Sequence, residues 1–187
     1  MKNLIILIST VLFSLALNGQ VFTMVKDINP NGNSNPSSFI QFENNIIFSC
    51  DDGTHGIELW ISNGTEIGTT LIKNINPVGN SFPANFLIFK NEMYFVADDG
   101  VTGMELWKTD GTESNTVRIT DINPDGSSNP MNLKEFNGYL YFTVIDGSTA
   151  PALWRTDGTT NGTEKFKSLS NNYFQINNLT VFKNYLL

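Results

Sequence analysis

Three tryptophans, Trp60, Trp107 and Trp154, recur at a constant step of 47 residues, and that period constrains the fold more than any other feature of the chain. Many other residues keep the same step. Ile28-Asn29-Pro30 returns as Ile75-Asn76-Pro77 and as Ile122-Asn123-Pro124. Pro36 returns as Pro83 and Pro130, Phe42 as Phe89 and Phe136, and Gly53 as Gly100 and Gly147. Three copies align without a gap, at about 25–71, 72–118 and 119–165. Marks in register over that length identify a repeat architecture. A partial fourth copy, 166–187, follows with one residue fewer: Phe182 stands at a step of 46 from Phe136, and the chain stops where a second strand should be under way.

One unit reads as four short strands. In the second copy Asn85 to Phe89 is a short apolar run, and Lys90-Asn91 turns the chain; the third copy has Asn137-Gly138 there, a strong hairpin signal. Met93 to Ala97 follows with period-two columns. Ile46/Met93/Leu140, Phe48/Phe95/Phe142 and Cys50/Ala97/Val144 share one face, while Ile47/Tyr94/Tyr141 and Ser49/Val96/Thr143 share a more mixed one. A third strand centres on Glu105-Leu106-Trp107-Lys108, and a fourth runs near Thr116 to Ile122. Leu and Trp are neighbours in all three copies, so that strand is apolar on both faces and must be covered on both sides. Stacked blades meet this requirement. The expected fold is all-β: a β-propeller-like array of four-stranded antiparallel blades, incomplete as a ring. The turn density and the lack of a 3.6-residue apolar stripe exclude helical repeats. A segment matching a fourth strand, Phe22 to Ile28, stands ahead of the first unit's own four strands and could complete a last blade.

The first 19 residues carry Lys2, an apolar stretch from Leu4 to Leu17, and then Asn18 and Gly19, the three parts of a secretory signal peptide. The repeat region is therefore expected to be 20–187, secreted or at the cell surface, without a membrane span once the signal is removed. A formal charge of −7 offers no basic footprint for nucleic acid. The single cysteine, Cys50, aligns with Ala97 and Val144 and reads as a small buried apolar residue.

The stretches Tyr94-Phe95-Val96-Ala97-Asp98-Asp99-Gly100 and Gly103-Met104-Glu105-Leu106-Trp107-Lys108-Thr109-Asp110-Gly111-Thr112 resemble the ELWxxDGT repeat. Proteins of that family are hyalin-like secreted and surface proteins of Bacteroidota and related gliding bacteria. The resemblance spans nearly all of 22–187 and implies an extracellular, propeller-like protein, without implying a ligand. The copies depart from the motif at Asn63 for its Asp, at Ala152 for its Glu, and at Asn115 for its second Gly.

Candidate sites are few. Asp51-Asp52 and Asp98-Asp99 are the strongest for a cation or for sugar hydroxyls; the third copy has Ile145 in place of the first Asp. They lack the D-x-D-x-D-G pattern of a calcium loop, and a turn capped by its own Asp explains them as well. With antiparallel strands they should share one end of the array with the Asn-Pro connections. Glu58 and Glu105 invite comparison with the carboxylates of glycoside hydrolysis. They share one repeat column, as a structural residue would, and the third copy has Ala152 there. His55 is the only histidine. The tryptophans read as packing staples between blades. Asn63-Gly64-Thr65, Asn161-Gly162-Thr163 and Asn178-Leu179-Thr180 match a glycosylation acceptor pattern, the first two better explained as turns. No catalytic or metal-ligating residue, binding residue or cofactor is assigned. The function that fits is a binding or adhesion module with no activity of its own, engaging glycan or protein; a glycoside-hydrolase-type propeller enzyme and a structural spacer of a longer adhesin are the alternatives.

Overall fold

A computed structural model describes residues 23–145, 150–169 and 179–187. The described residues contain strands, turns and bends and no helix. Three four-stranded antiparallel sheets follow one another along the chain. The first holds β1 (Ser37–Phe42), β2 (Asn45–Asp51), β3 (Ile57–Ser62) and β4 (Thr69–Lys73) in that order. The second holds β5 (Ala84–Phe89), β6 (Glu92–Asp98), β7 (Met104–Thr109) and β8 (Val117–Arg118). The third holds β9 (Met131–Phe136), β10 (Tyr139–Val144), β11 (Ala152–Thr156) and β12 (Glu164–Ser168). A hairpin, β13 (Val181–Phe182) and β14 (Tyr185–Leu186), begins a fourth unit. The sheets are propeller blades in order and connection, and among the described residues they do not close into a ring.

The four-strand reading holds, and the blades start at the first strand of each sheet, later than the aligned repeats. The first strand of each blade carries a bulge that its apolar run did not reveal. Ser38, Asn85 and Asn132 occupy one repeat column with φ of 54°, 58° and 56°, and the ladder slips there in all three blades. The fourth strand of the second blade is shorter than expected. Only Val117 and Arg118 pair regularly with β7, although Ile119 still donates to Leu106 at 3.0 Å. Residues 23–28 form no strand. Their sequence matches β4, but they pack as a connection does: Ile28 joins Phe48, Cys50 and Trp60 on the first blade, as Ile75 joins Phe95 and Trp107 on the second. The signal segment, Asn178, Asp146 and Gly147 lie outside the described residues.

The stacking rule is legible residue by residue. Ile47, Leu59 and Ile72 of the first blade pack on Met93, Phe95, Ala97 and Trp107 of the second. One blade later, Tyr94, Leu106 and Ile119 pack on Leu140, Phe142 and Val144 with Trp154 at the border. Tyr141 and Leu153 then meet Leu179 and the hairpin's Leu186. The leucine face of each blade thus covers the tryptophan face of the next, and the middle strands are buried on both sides. The face read as mixed is as buried as the other, with Ile47 and Tyr94 both at 0 % exposure. Lysines bridge the outer edges: Lys73 Nζ donates to the Thr116 carbonyl at 2.8 Å, and Lys26 Nζ to Thr69 at 2.7 Å. Contacts of β1 with β5 and of β5 with β9 set the first strands side by side along the inner edge.

Candidate functional site

Strand direction sorts the loops into two ends. At one end lie the hairpin turns after β1, β5 and β9 and the Thr-Asp-Gly-Thr turns. At the other, the connection face, lie the Asn-Pro connections and the Asp-Asp-Gly loops between the second and third strands, as the sequence implied. The two kinds of connection-face loop are stitched together. Asn76 Nδ2 donates to the Asn80 carbonyl at 3.0 Å, and its Oδ1 accepts from Val78 at 3.2 Å. A methyl built on Gly100 would stand 2.6 Å from that same Oδ1, so glycine is required there by space and by a φ of +77°. Gly53 sits against Asn29 in the same way.

The aspartate pairs are turn caps. Asp52 Oδ1 accepts from the N–H groups of Thr54 and His55, both at 2.8 Å, and its Oδ2 lies 2.7 Å from His55 Nδ1. Asp99 Oδ1 accepts from Val101 at 2.9 Å and Thr102 at 2.7 Å, and the carboxylate lies 3.6 Å from Arg118. Asp51 and Asp98 each cap the glycine two residues on, at 2.7 Å. Partial burial works against ionisation of Asp52 and Asp99, but the donated hydrogen bonds outweigh it and hold both below the ordinary carboxylate range. These oxygens already hold their own loops. Among the described residues no group of three or more His, Cys, Asp or Glu is placed to hold a metal ion. His55 has Asp52 as its partner.

Glu58 and Glu105 are fully buried, at 0 % exposure, and lock each blade to the connection that follows it. Glu58 accepts from the Ile75 N–H at 2.9 Å, the Asn76 N–H at 3.1 Å and the Ser81 hydroxyl at 2.6 Å. Glu105 accepts from the Ser128 N–H at 2.8 Å, the Ser128 hydroxyl at 2.5 Å and the Ile122 N–H at 3.4 Å. Burial raises both above the usual glutamate value, and the donors pull partly back. Neither reaches solvent, so neither can protonate an external substrate. The third copy has Ala152 here, and the connection it would hold lies largely outside the described residues.

The remaining sequence candidates resolve as architecture. Trp107 is buried between the first two blades at 7 % exposure, Trp60 is buried at 6 % beside Ile28 of the N-terminal connection, and Trp154 is half-buried. The Cys50 thiol is buried, which pushes it up to about 12, and it donates to the Ser34 carbonyl. At the opposite end Ser62–Thr69, Thr109–Thr116 and Thr156–Thr163 hydroxyl pairs close the turns at 2.7 Å. Asn63 does there what Asp110 and Asp157 do, its Oδ1 accepting from Thr65. Sequence reasoning missed Ser81 and Ser128 as the glutamates' partners, although their shared repeat column was visible.

No family model matches the chain, and no curated protein matches it. Among solved structures it is similar to an alpha-L-arabinofuranosidase from Clostridium thermocellum, with 12 % identity, a TM-score of 0.39, and coverage of 88 % of this chain and 65 % of that one. The chain spans less than two thirds of that protein's length, and a likeness this distant bears on neither substrate nor mechanism.

Proposed function

We propose that the repeat array is a binding module of a secreted or surface-displayed protein of ELWxxDGT type, engaging its partner through the connection face, with no catalytic activity of its own. The observation that carries this reading is the division of labour on that face. Asn76, Asp52, Asp99, Glu58 and Glu105 all serve the loops' own backbone and rigidify them. Loop positions outside that framework are free to differ from copy to copy, so one scaffold presents several side chains at fixed spacing. Rigid loops limit the ordering cost of binding. Successive blades extend the surface, as in other repeat proteins. The signal-like N-terminal sequence supports an extracellular setting.

The test uses the full chain against a glycan array and a displayed peptide library. Saturable binding, lost when loops 76–82 and 98–102 are exchanged for the first unit's 29–35 and 51–55, supports the module. Release of reducing ends from a polysaccharide panel would overturn it in favour of a hydrolase, and absence of any ligand would favour a spacer.

A further inference from the structure

The repeats provide an internal control: a residue shared between copies at one column is one that the architecture uses or tolerates there, so a departure that breaks a local rule calls for another reason. Besides Ile145 of the third unit, 47 % exposed where the other copies carry Asp51 and Asp98, the connection face holds three such departures, all at the second unit. Val78 and Val101 are each 88 % exposed and Phe82 is 52 % exposed. The first unit carries Asn31, Thr54 and Asn35 at these columns, and the third carries Asp125 and Asn129 at the first and last. Only the second unit is apolar at all of them.

Phe82 is also strained. It sits at φ 48° directly before Pro83, where its equivalents Asn35 and Asn129 stand at 41° and 47°. The architecture thus demands a left-handed residue at that column. Asparagine tolerates the conformation, and a bulky aromatic there is an outlier. The three residues belong to one loop cluster. Val78 donates its N–H to Asn76, on which Gly100 packs, and Val101 follows Gly100. Asp98 donates its N–H to the Ser81 carbonyl at 2.9 Å, next to Phe82. Carboxylates therefore border the patch: Asp98, whose backbone is held beside Phe82, and Asp99, bonded to the Val101 N–H; Arg118 is shared between Asp99 and Asp121 at 3.6 Å each, which leaves negative charge in excess.

We infer that Val78, Phe82 and Val101 form the anchor of a protein-docking site, and that its occupant is a protein segment with an apolar side chain flanked by lysine or arginine. This rests on the binding reading above and narrows it. A sugar site needs free amides and carboxylates around an aromatic ring. Here the Asn76 and Asn80 side chains are committed to Val78, Asn80 and Ile57 backbone groups, and two of the three exposed anchors are aliphatic. The negative border and a formal charge of −7 complement a basic flank. Exposed apolar residues of this kind, rimmed by polar ones, mark interaction sites. A strained residue kept in one copy alone is a pointer to function there.

The test selects peptides from a random displayed library on the full chain and measures their affinity for wild type and for the Val78→Asn/Phe82→Asn/Val101→Thr variant, which restores residues the first unit already tolerates. The expected peptides carry an apolar residue between basic ones. They should bind the variant on the order of tenfold or more weakly, and lose affinity as salt rises. Phe82→Asn alone should melt no lower than wild type, since it relieves the strain. Peptides that bind variant and wild type equally would overturn this site while leaving the binding module standing. Loss of glycan rather than peptide binding in the variant would assign the surface to sugar instead. A chain that binds neither would end both readings.

Discussion

Glu105→Ala is the most informative single change, because it separates a buried lock from a catalytic acid. It removes two short charge-assisted bonds, from the Ser128 N–H at 2.8 Å and the Ser128 hydroxyl at 2.5 Å, and a long one from Ile122 at 3.4 Å. Bonds to a charged group contribute about 1.5–3 kcal/mol each, and an N–H left buried without a partner costs about 1–3 kcal/mol. Against this, the variant no longer desolvates a carboxylate, a cost that shows in the raised pKa of Glu105. The net loss should be about 3 kcal/mol, or roughly 6–12 °C in Tm for a chain of this size. Glu58→Ala should cost more, since all three of its donors lie within 3.1 Å. Thermal unfolding followed by tryptophan fluorescence measures both. A Glu105→Ala melt within about 2 °C of wild type, or a Glu58→Ala variant more stable than Glu105→Ala, would show that these glutamates do not lock their connections. A Glu105→Ala/Ser128→Ala cycle should show coupling well above zero, because the two side chains act as one unit.

Other expectations follow from the same contacts. Trp107→Ala opens a hole between the first and second blades and should cost about 3–5 kcal/mol by urea denaturation, while Trp154→Ala, only half-buried at the edge of its cluster, should cost less. Gly100→Ala forces a side chain into φ +77° against Asn76, so it should destabilise by more than about 1–2 kcal/mol; an unchanged midpoint would contradict the stitching of the two loops. Cys50, pushed up to about 12 by burial, should resist thiol reagents in the folded chain and react at once in denaturant. The pH profile has two limbs. Glu58 and Glu105 have raised values when folded, so the folded state binds more protons above the ordinary 4.5, and stability falls as pH rises from there through the folded values. Asp52, Asp99, Asp110 and Asp157 have lowered values, so the stability they contribute is present above 3.8 and is lost as pH falls below it. Denaturation midpoints across pH 3–8 (roughly the span of both limbs) should fall at each end, and Glu58→Gln should flatten the upper limb.

The 47-residue step, the four strands per unit and the need to cover both sides of the Leu-Trp strand were all legible in the residues, because side-chain alternation and turn chemistry are local. Several features were not. The bulge at Ser38, Asn85 and Asn132 was not read from the run as a whole, although Asn in two of the three copies is a residue that tolerates positive φ. Residues 23–28 match a fourth strand in sequence yet form none, since a strand needs a ladder partner as well as a pattern. Glu58 and Glu105 looked like chemistry because a carboxylate's type is local while its solvent access is not.

The periodicity of the residues was enough to require repeated small sheets with a polar connection at one end. Which polar residues that architecture consumes, and which apolar ones, Val78, Phe82 and Val101, are left facing out, came from long-range packing. Burial and hydrogen-bond satisfaction are properties of pairs of segments distant in the chain. Asn76 beside Gly100, and Glu58 beneath Ser81, acquire their roles when one blade's connection meets the loop beside it.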